Sequence, residues 1–274
     1  MRSAPTSASL ALQCRSERNA VRIAALRRAL EGLPGGSPPA LPNHISDAQA
    51  ALLGSCLGPG MPGPNLAGGV LHEITAGHAD RPAAFGFLFA LTAAALGARP
   101  GPAVFIAARR AVADFGLPYG HGLAQMGLDP GRLILVETGK EKDALWALEE
   151  VLRSPARPAM VAGALEGGLD LTPSRRLNLA AAVHATPLAI LRGARATGTS
   201  AAATRWRIAS APAARDRFGI FTNPRWRVAL ERCRNAARPG EWLIEWDHGA
   251  YRFRVVEGLA DRPPVADKGL RLAG

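Results

Sequence analysis

From residue 70 onward, short apolar runs alternate with longer segments of helical pattern. Val70 to Thr75, Pro102 to Ala107, Leu133 to Glu137, Ala159 to Leu165 and Pro187 to Leu191 are five to seven residues long and dominated by Val, Ile, Leu and Ala. Runs of that length and composition predict strands buried on both faces. Between them, Ala83 to Leu96 is apolar all round and predicts a buried helix, and Glu141 to Arg153 predicts a helix opened by the capping-box pattern Thr138-x-x-Glu141. Pro173 to His184 predicts a further helix, with Thr172 as its cap and Pro173 at its first position. Strands alternating with helices of this length predict an α/β fold whose mainly parallel sheet is flanked by helices.

After Gly193 the period changes from 3.6 to two. Thr204 to Ile208, Arg225 to Val228, Trp242 to Trp246 and Tyr251 to Val255 alternate apolar and polar positions, as half-buried antiparallel strands extending the sheet would. Trp206, Ile208, Trp226, Val228, Trp242, Ile244, Trp246, Tyr251 and Phe253 share the apolar parity. Arg205, Arg207, Arg225, Arg227, Arg252 and Arg254 share the other. Upstream, residues 1–13 show neither period and are expected to be disordered. Ser16 to Glu31 follows as an amphipathic helix whose apolar stripe includes Leu26 and whose basic face carries Arg15, Arg18, Arg22 and Arg27. Gly32 to Pro42, rich in Gly and Pro, cannot continue it. The expected organisation is an N-terminal arm (1–44), a core (45–258) and a tail (259–274).

Composition narrows the class. The 274 residues are 48% hydrophobic, enough to bury a substantial interior without disulfides, and three widely spaced cysteines, Cys14, Cys56 and Cys233, fit a reducing compartment better than a zinc site. The apolar stretch Pro82 to Ala98 is short and weak for a bilayer span, so a cytoplasmic protein with no membrane partner is expected. The formal charge is +11, and most of it falls after residue 190, where sixteen basic side chains face eight acidic ones. Such a surface can face an anionic polymer, although an amphipathic sheet with solvated arginines shows the same alternation.

A strand running through a Gly-containing loop into a helix is where phosphate-binding loops stand. Here it reads Thr75-Ala-Gly77-His78-Ala-Asp-Arg81-Pro82-Ala83. A working loop ends in Gly-Lys-Ser/Thr, the Lys for the outer phosphates and the hydroxyl for Mg²⁺; Arg81, Pro82 and Ala83 supply neither. The isolated histidines are expected to be polar core or surface residues, and Glu149-Glu150 and Glu137/Glu141 to lie on a solvated face rather than form paired catalytic carboxylates.

The order Val70-Leu-His-Glu-Ile74, degenerate loop, apolar helix and Phe105-Ile-Ala-Ala-Arg-Arg-Ala111 resembles the ATPase core of RecA recombinases from about Ala67 to Trp246. Within that group, Pro118-Tyr-Gly120, Asp143-Ala-Leu-Trp146, Asp170-Leu-Thr-Pro-Ser-Arg-Arg-Leu177 and Thr204-Arg-Trp-Arg207 resemble the ImuA family, also described as SulA-like. That resemblance implies a RecA-like fold and a role in damage-induced translesion synthesis beside an ImuB-type protein, RecA and an error-prone DnaE-type polymerase. The departures from RecA are equally telling. Arg109 stands where the catalytic Glu belongs, Ala162 and Gly163 where a Mg²⁺-associated Asp belongs, Arg192 and Gly193 near the phosphate-sensing glutamine, and the DNA-binding loop at Ala194 to Ala202 is short. The expectation is a protein without catalytic residues, cofactor or metal, which binds proteins and, through Arg205, Arg207, Arg225 and Arg227, single-stranded DNA weakly. The rival readings are a SulA-type division inhibitor, binding the tubulin-like division protein, and a nucleotide-dependent ATPase.

Overall fold

A computed structural model describes residues 69–194, 198–234 and 240–258. The expected arm, with Arg15, Arg18, Arg22, Leu26 and Arg27, the tail at 259–274 and residues 195–197 of the shortened loop lie outside the described residues. Nine strands form one sheet in the order β3-β2-β4-β5-β1-β6-β7-β8-β9. Strands β1 (Leu71–Thr75), β2 (Ala103–Ala108), β3 (Leu133–Thr138), β4 (Met160–Ala164) and β5 (Leu188–Leu191) are parallel. Strand β6 (Thr204–Ala211) is parallel to β1, and β7 (Arg225–Cys233), β8 (Gly240–Asp247) and β9 (Arg252–Gly258) then continue antiparallel. The change of period at Gly193 thus marks where the crossover helices stop and hairpin connections begin.

Helices α1 (Arg81–Ala98), α2 (Gly120–Gln125), α3 (Glu141–Arg153) and α4 (Leu171–Val183) complete the elements used below. The register assigns the two faces. Phe105 pairs with Ala162, and its ring meets Phe85 and Phe89 of α1. Its neighbour Ile106 pairs with Gly163, and a Cβ on Gly163 would lie 3.3 Å from the Leu148 side chain of α3. So α1 covers one face and α3 the other. Following the pairings outward, Ile74 and Trp206 lie on the α1 side, Glu73 and Arg205 on the α3 side. Helix α1 is the one helix among the described residues long and apolar enough to cross a membrane, and twelve of its 18 residues are buried against this sheet. Its Phe87 packs on Trp226 and Phe253, and the Trp226 indole N–H donates to the Ala83 carbonyl. That aromatic layer is the core under the antiparallel strands, and it accounts for the apolar parity of Trp206, Ile208, Trp226, Val228, Trp242, Ile244, Trp246 and Phe253, all buried.

Several expectations need correction. Strand β3 is an edge strand with Leu135 exposed rather than a buried one, because it pairs with β2 alone. The capping box does not form. Lys140 is the cap residue of α3, the Thr138 hydroxyl donates to the Lys140 carbonyl, and the Glu141 carboxylate accepts from the Gly167 N–H across the sheet end. Helix α4 starts at Leu171 after Asp170, two residues before Pro173, and its Ser174 is tied at the N-terminal turn by a bond to the Leu171 carbonyl. Tyr251 leaves the apolar face: it sits in the β8–β9 turn with φ +47°, half exposed, its ring over Gly127 where any side chain would collide. Glu149 is buried rather than solvated, ion-paired with Arg153 and Arg176.

Candidate functional site

The loop after β1 occupies the edge formed by the C-terminal ends of the parallel strands, where open α/β sheets hold ligands. Gly77 is extended, His78–Asp80 make one 3-10 turn, and α1 begins at Arg81 with Pro82 in its first turn. Asp80 points away from any ligand position: its Oδ1 accepts from the Ser210 N–H at 2.8 Å and the Ser210 hydroxyl at 2.7 Å, tying the loop to the end of β6. Thr75 donates to the Trp206 carbonyl at 3.2 Å.

Arg81 decides what this edge can do. Its guanidinium is buried, donating from Nη1 to the Arg192 carbonyl at 2.6 Å and from Nη2 to the Ala111 carbonyl at 2.8 Å, 5.8 Å from the centre of the Phe115 ring. Burial lowers its pKa from the ordinary arginine value, against the opposing charges of Asp114 and Glu166. The cation thus lies across the ends of β5 and β2 rather than at the mouth of the loop, held by carbonyl dipoles rather than free to meet phosphate. Gly193 is packed against backbone, and a Cβ there would fall 1.6 Å from the Glu166 carbonyl oxygen. Arg109 is exposed and paired with Glu137. Among the described residues no cluster of His, Cys, Asp and Glu could hold a metal.

Beneath the loop lies a polar system that sequence reasoning missed. Glu73, fully buried in the middle of β1, receives Arg192, the residue after β5, at 3.3 Å and Arg205 from β6 at 2.9 Å, both on Oε2. Arg192 therefore contributes its carbonyl to Arg81 and its guanidinium to Glu73, linking α1, β5, β1 and β6. On the other face of β1, His72 is buried, its Nδ1 2.7 Å from the Thr204 hydroxyl, which also accepts the Trp206 indole N–H at 2.9 Å. Burial holds the imidazole neutral by lowering its pKa to about 4. A charged residue inside the apolar run Val70-Leu-His-Glu-Ile74 was the available signal: two titratable side chains in a strand buried on both faces require partners.

Arg205, Arg207, Arg225 and Arg227 do share the α3-side face, beyond the helices, and each meets a carboxylate. Arg207 pairs with Glu231 at 2.8 Å, Arg225 with Glu245 at 2.6 Å and Arg227 with Glu241 at 3.3 Å. Glu245 is buried, yet its pKa is lowered. Burial alone would raise it, and the hydrogen bonds from Asn223, Arg254 and Arg225 outweigh that. Arg205 and Arg225 are mostly covered and hold buried carboxylates; Arg207 and Arg227 are more than half exposed and hold partly exposed ones.

Comparison with known proteins supplies one match of consequence. The chain is 39% identical over 233 residues to Protein ImuA from each of two strains of Caulobacter vibrioides, an alignment that covers 78% of this chain and 91% of the relative. No family model matches it.

Proposed function

Because the chain belongs to the ImuA family, we propose that it is a non-catalytic, cytoplasmic accessory protein of damage-induced translesion DNA synthesis and mutagenesis, built on a RecA-like scaffold. In this reading it acts through contacts with an ImuB-type protein and RecA, and through them reaches an error-prone DnaE-type polymerase. The basic, apolar-striped segment at 15–31 is assigned to partner contact.

The observation that carries the non-catalytic part is Arg81. A phosphate-binding loop needs free donors and a mobile cation at its helix N-terminus. Here the residue that ends the loop is buried under two carbonyls, Pro82 has no N–H to give, and Ala83 has no hydroxyl. Removing one charge-stabilising part of such a site typically costs ~10²–10³ in rate, and here several are missing together. Purified full-length protein is therefore expected to release no phosphate from ATP above the blank, with or without single-stranded DNA. In cells, deleting its gene is expected to abolish damage-induced mutation while leaving damage-induced filamentation intact. DNA-stimulated hydrolysis that follows the protein through every purification step would overturn the first expectation, and loss of filamentation alone would favour a division inhibitor instead.

A weak contact with single-stranded DNA belongs to the same proposal, and the ion pairs set its size. Arg205 and Arg225 cannot turn to a phosphate without withdrawing a charge-assisted bond from the buried Glu73 and Glu245, whereas Arg207 and Arg227 exchange one exposed partner for another. Four available arginines would give a log–log salt slope of about −3, at ~0.7 per contact; two give about −1.4. The expected result on an oligothymidine is the shallower slope, abolished in R207A/R227A with little change in melting temperature. A slope that survives in the folded double variant removes this face from DNA binding.

A further inference from the structure

The connection between β6 and β7 presents the densest exposed apolar group among the described residues that a rigid turn holds in place. Phe218, Ile220 and Phe221 lie within four residues and are 71%, 62% and 63% exposed. Side chains of that size are normally covered, and isolated ones need no account; three together, held out by a built turn, do.

The turn is built to hold them there. Arg215 and Phe221 form an antiparallel bridge, the Thr222 N–H donates to the Ala214 carbonyl at 2.8 Å, and the Ala214 N–H donates to the Asn223 carbonyl at 2.9 Å. At the tip, the Asp216 N–H donates to the Ile220 carbonyl at 2.9 Å, and Gly219 takes φ +79°, a conformation that favours glycine. The Asp216 carboxylate accepts from the N–H groups of Phe218 and Ile220 at 2.8 and 2.9 Å, and Arg215 donates to the Gly219 carbonyl at 2.8 Å. A segment fixed by this many bonds gives up little conformational entropy when it binds.

Charge sets the partner's chemistry. The one carboxylate in the turn is used inside it, while the Arg215 and Arg217 guanidiniums lie over the Phe221 and Phe218 rings at 3.9 and 4.7 Å. The tip therefore faces outward as an apolar group with a cationic border. Single-stranded nucleic acid would use open ring faces for base stacking. Here guanidiniums already occupy one face of each ring, and the exposed Ile220 offers nothing to a base. Aromatic side chains with arginine at an apolar centre are instead the composition of protein-interface anchors. The turn also rises from the ligand edge of the sheet, since Ser210, close before it, is bonded to Asp80 of the degenerate loop.

We propose that residues 215–221 are the anchor by which this chain docks into an apolar groove rimmed by carboxylates on a partner protein. The proposal rests on the reading that the chain works through protein contacts in damage-induced mutagenesis.

The test uses full-length protein, wild type and F218A/F221A, with R217E as a milder variant. Two readouts are taken: affinity for purified ImuB-type protein and for RecA, and damage-induced mutation frequency in a strain lacking the native gene. The double variant should melt as wild type does, bind one of the two proteins at least about 30-fold more weakly, and return the mutation frequency to that of the deletion; R217E should lose affinity a few-fold, and less so at high salt. Unchanged binding and full mutation frequency in a folded F218A/F221A overturn the proposal. So does intact protein binding with lost affinity for an oligothymidine, which would make the tip a nucleic-acid surface. If wild type binds neither protein, the functional reading fails in its choice of partners, and the anchor then stands or falls on the mutation frequency alone.

Discussion

Replacing Glu73 by alanine is expected to destabilise the fold by about 3–5 kcal/mol, the range for breaking a buried ion pair from one side. Glu73 is fully buried, and it is the carboxylate on which Arg192 and Arg205 converge, so its loss takes one ion pair from each of two guanidiniums at once. The damage also spreads to the ligand edge. The Arg192 backbone carries the carbonyl that Arg81 holds, so a shift of the β5 end loosens the seal across the degenerate loop. Removing both charges is different from removing one. The double variant E73L/R192M removes both fully buried charges, replaces them by apolar side chains of similar length and leaves only the partly exposed Arg205 without its carboxylate, so it should recover part of the stability lost in the single variant. Urea unfolding followed by far-UV circular dichroism measures both. A loss under about 1 kcal/mol in Glu73→Ala would show that the pair contributes little and that water reaches it. A double variant no more stable than the single one would show that the polar system is needed for packing itself.

This buried system explains why the fold was legible in the sequence and the site was not. Period-two and period-3.6 patterns report which face of an element is covered, and that was enough to place nearly every strand, the three long crossover helices and the switch to hairpins after Gly193. They report nothing about which strands, distant in sequence, come to lie side by side. Glu73 meets Arg192 across 119 residues and Arg205 across 132, so the meaning of an acidic residue in an apolar run depends on a strand order that no local pattern encodes. The failed capping box has the same cause: Glu141 has the right spacing to Thr138, but tertiary structure offers its carboxylate the Gly167 N–H instead. The expectation that the loop after β1 lacks phosphate chemistry rests on Pro82 and Ala83, which are informative by residue type alone. That Arg81 closes the edge could not be read in this way, because arginine at that position is equally compatible with a cation facing solvent. The anchor at 215–221 was hidden differently: its Asp, Gly and Arg residues are ordinary turn and surface residues, and only the bonds from Asp216 show that the phenylalanines point outward from a fixed turn.

Acid should weaken the protein in a window set by His72. In the folded chain its pKa is lowered to about 4 by burial, against the ordinary value of 6.5 that it regains on unfolding. Between those values the unfolded chain carries a proton there that the folded chain does not, so folding must expel it and stability rises with pH across the window. Lowering pH from 6.5 to 4 should therefore cost about 3 kcal/mol from this group alone, at ~1.4 kcal/mol per pH unit, with no contribution from it above pH 7 and a plateau below 4. Lowered carboxylate pKa values work in the same direction but later. Glu245, held below the ordinary glutamate range, contributes stability that is complete above that range and is lost as pH falls through its folded value. The two are separable by substitution. In His72→Asn a side-chain amide can still meet the Thr204 hydroxyl, but nothing titrates, so the variant should be flat between pH 6.5 and about 5 and lose stability only in the carboxylate range. Thermal melts across pH 3.5 to 8 decide it. A wild type whose stability is unchanged between pH 7 and 5 would mean that water or a rearranged Thr204 lets the imidazole charge in place. An equal slope in His72→Asn would assign the window to another group.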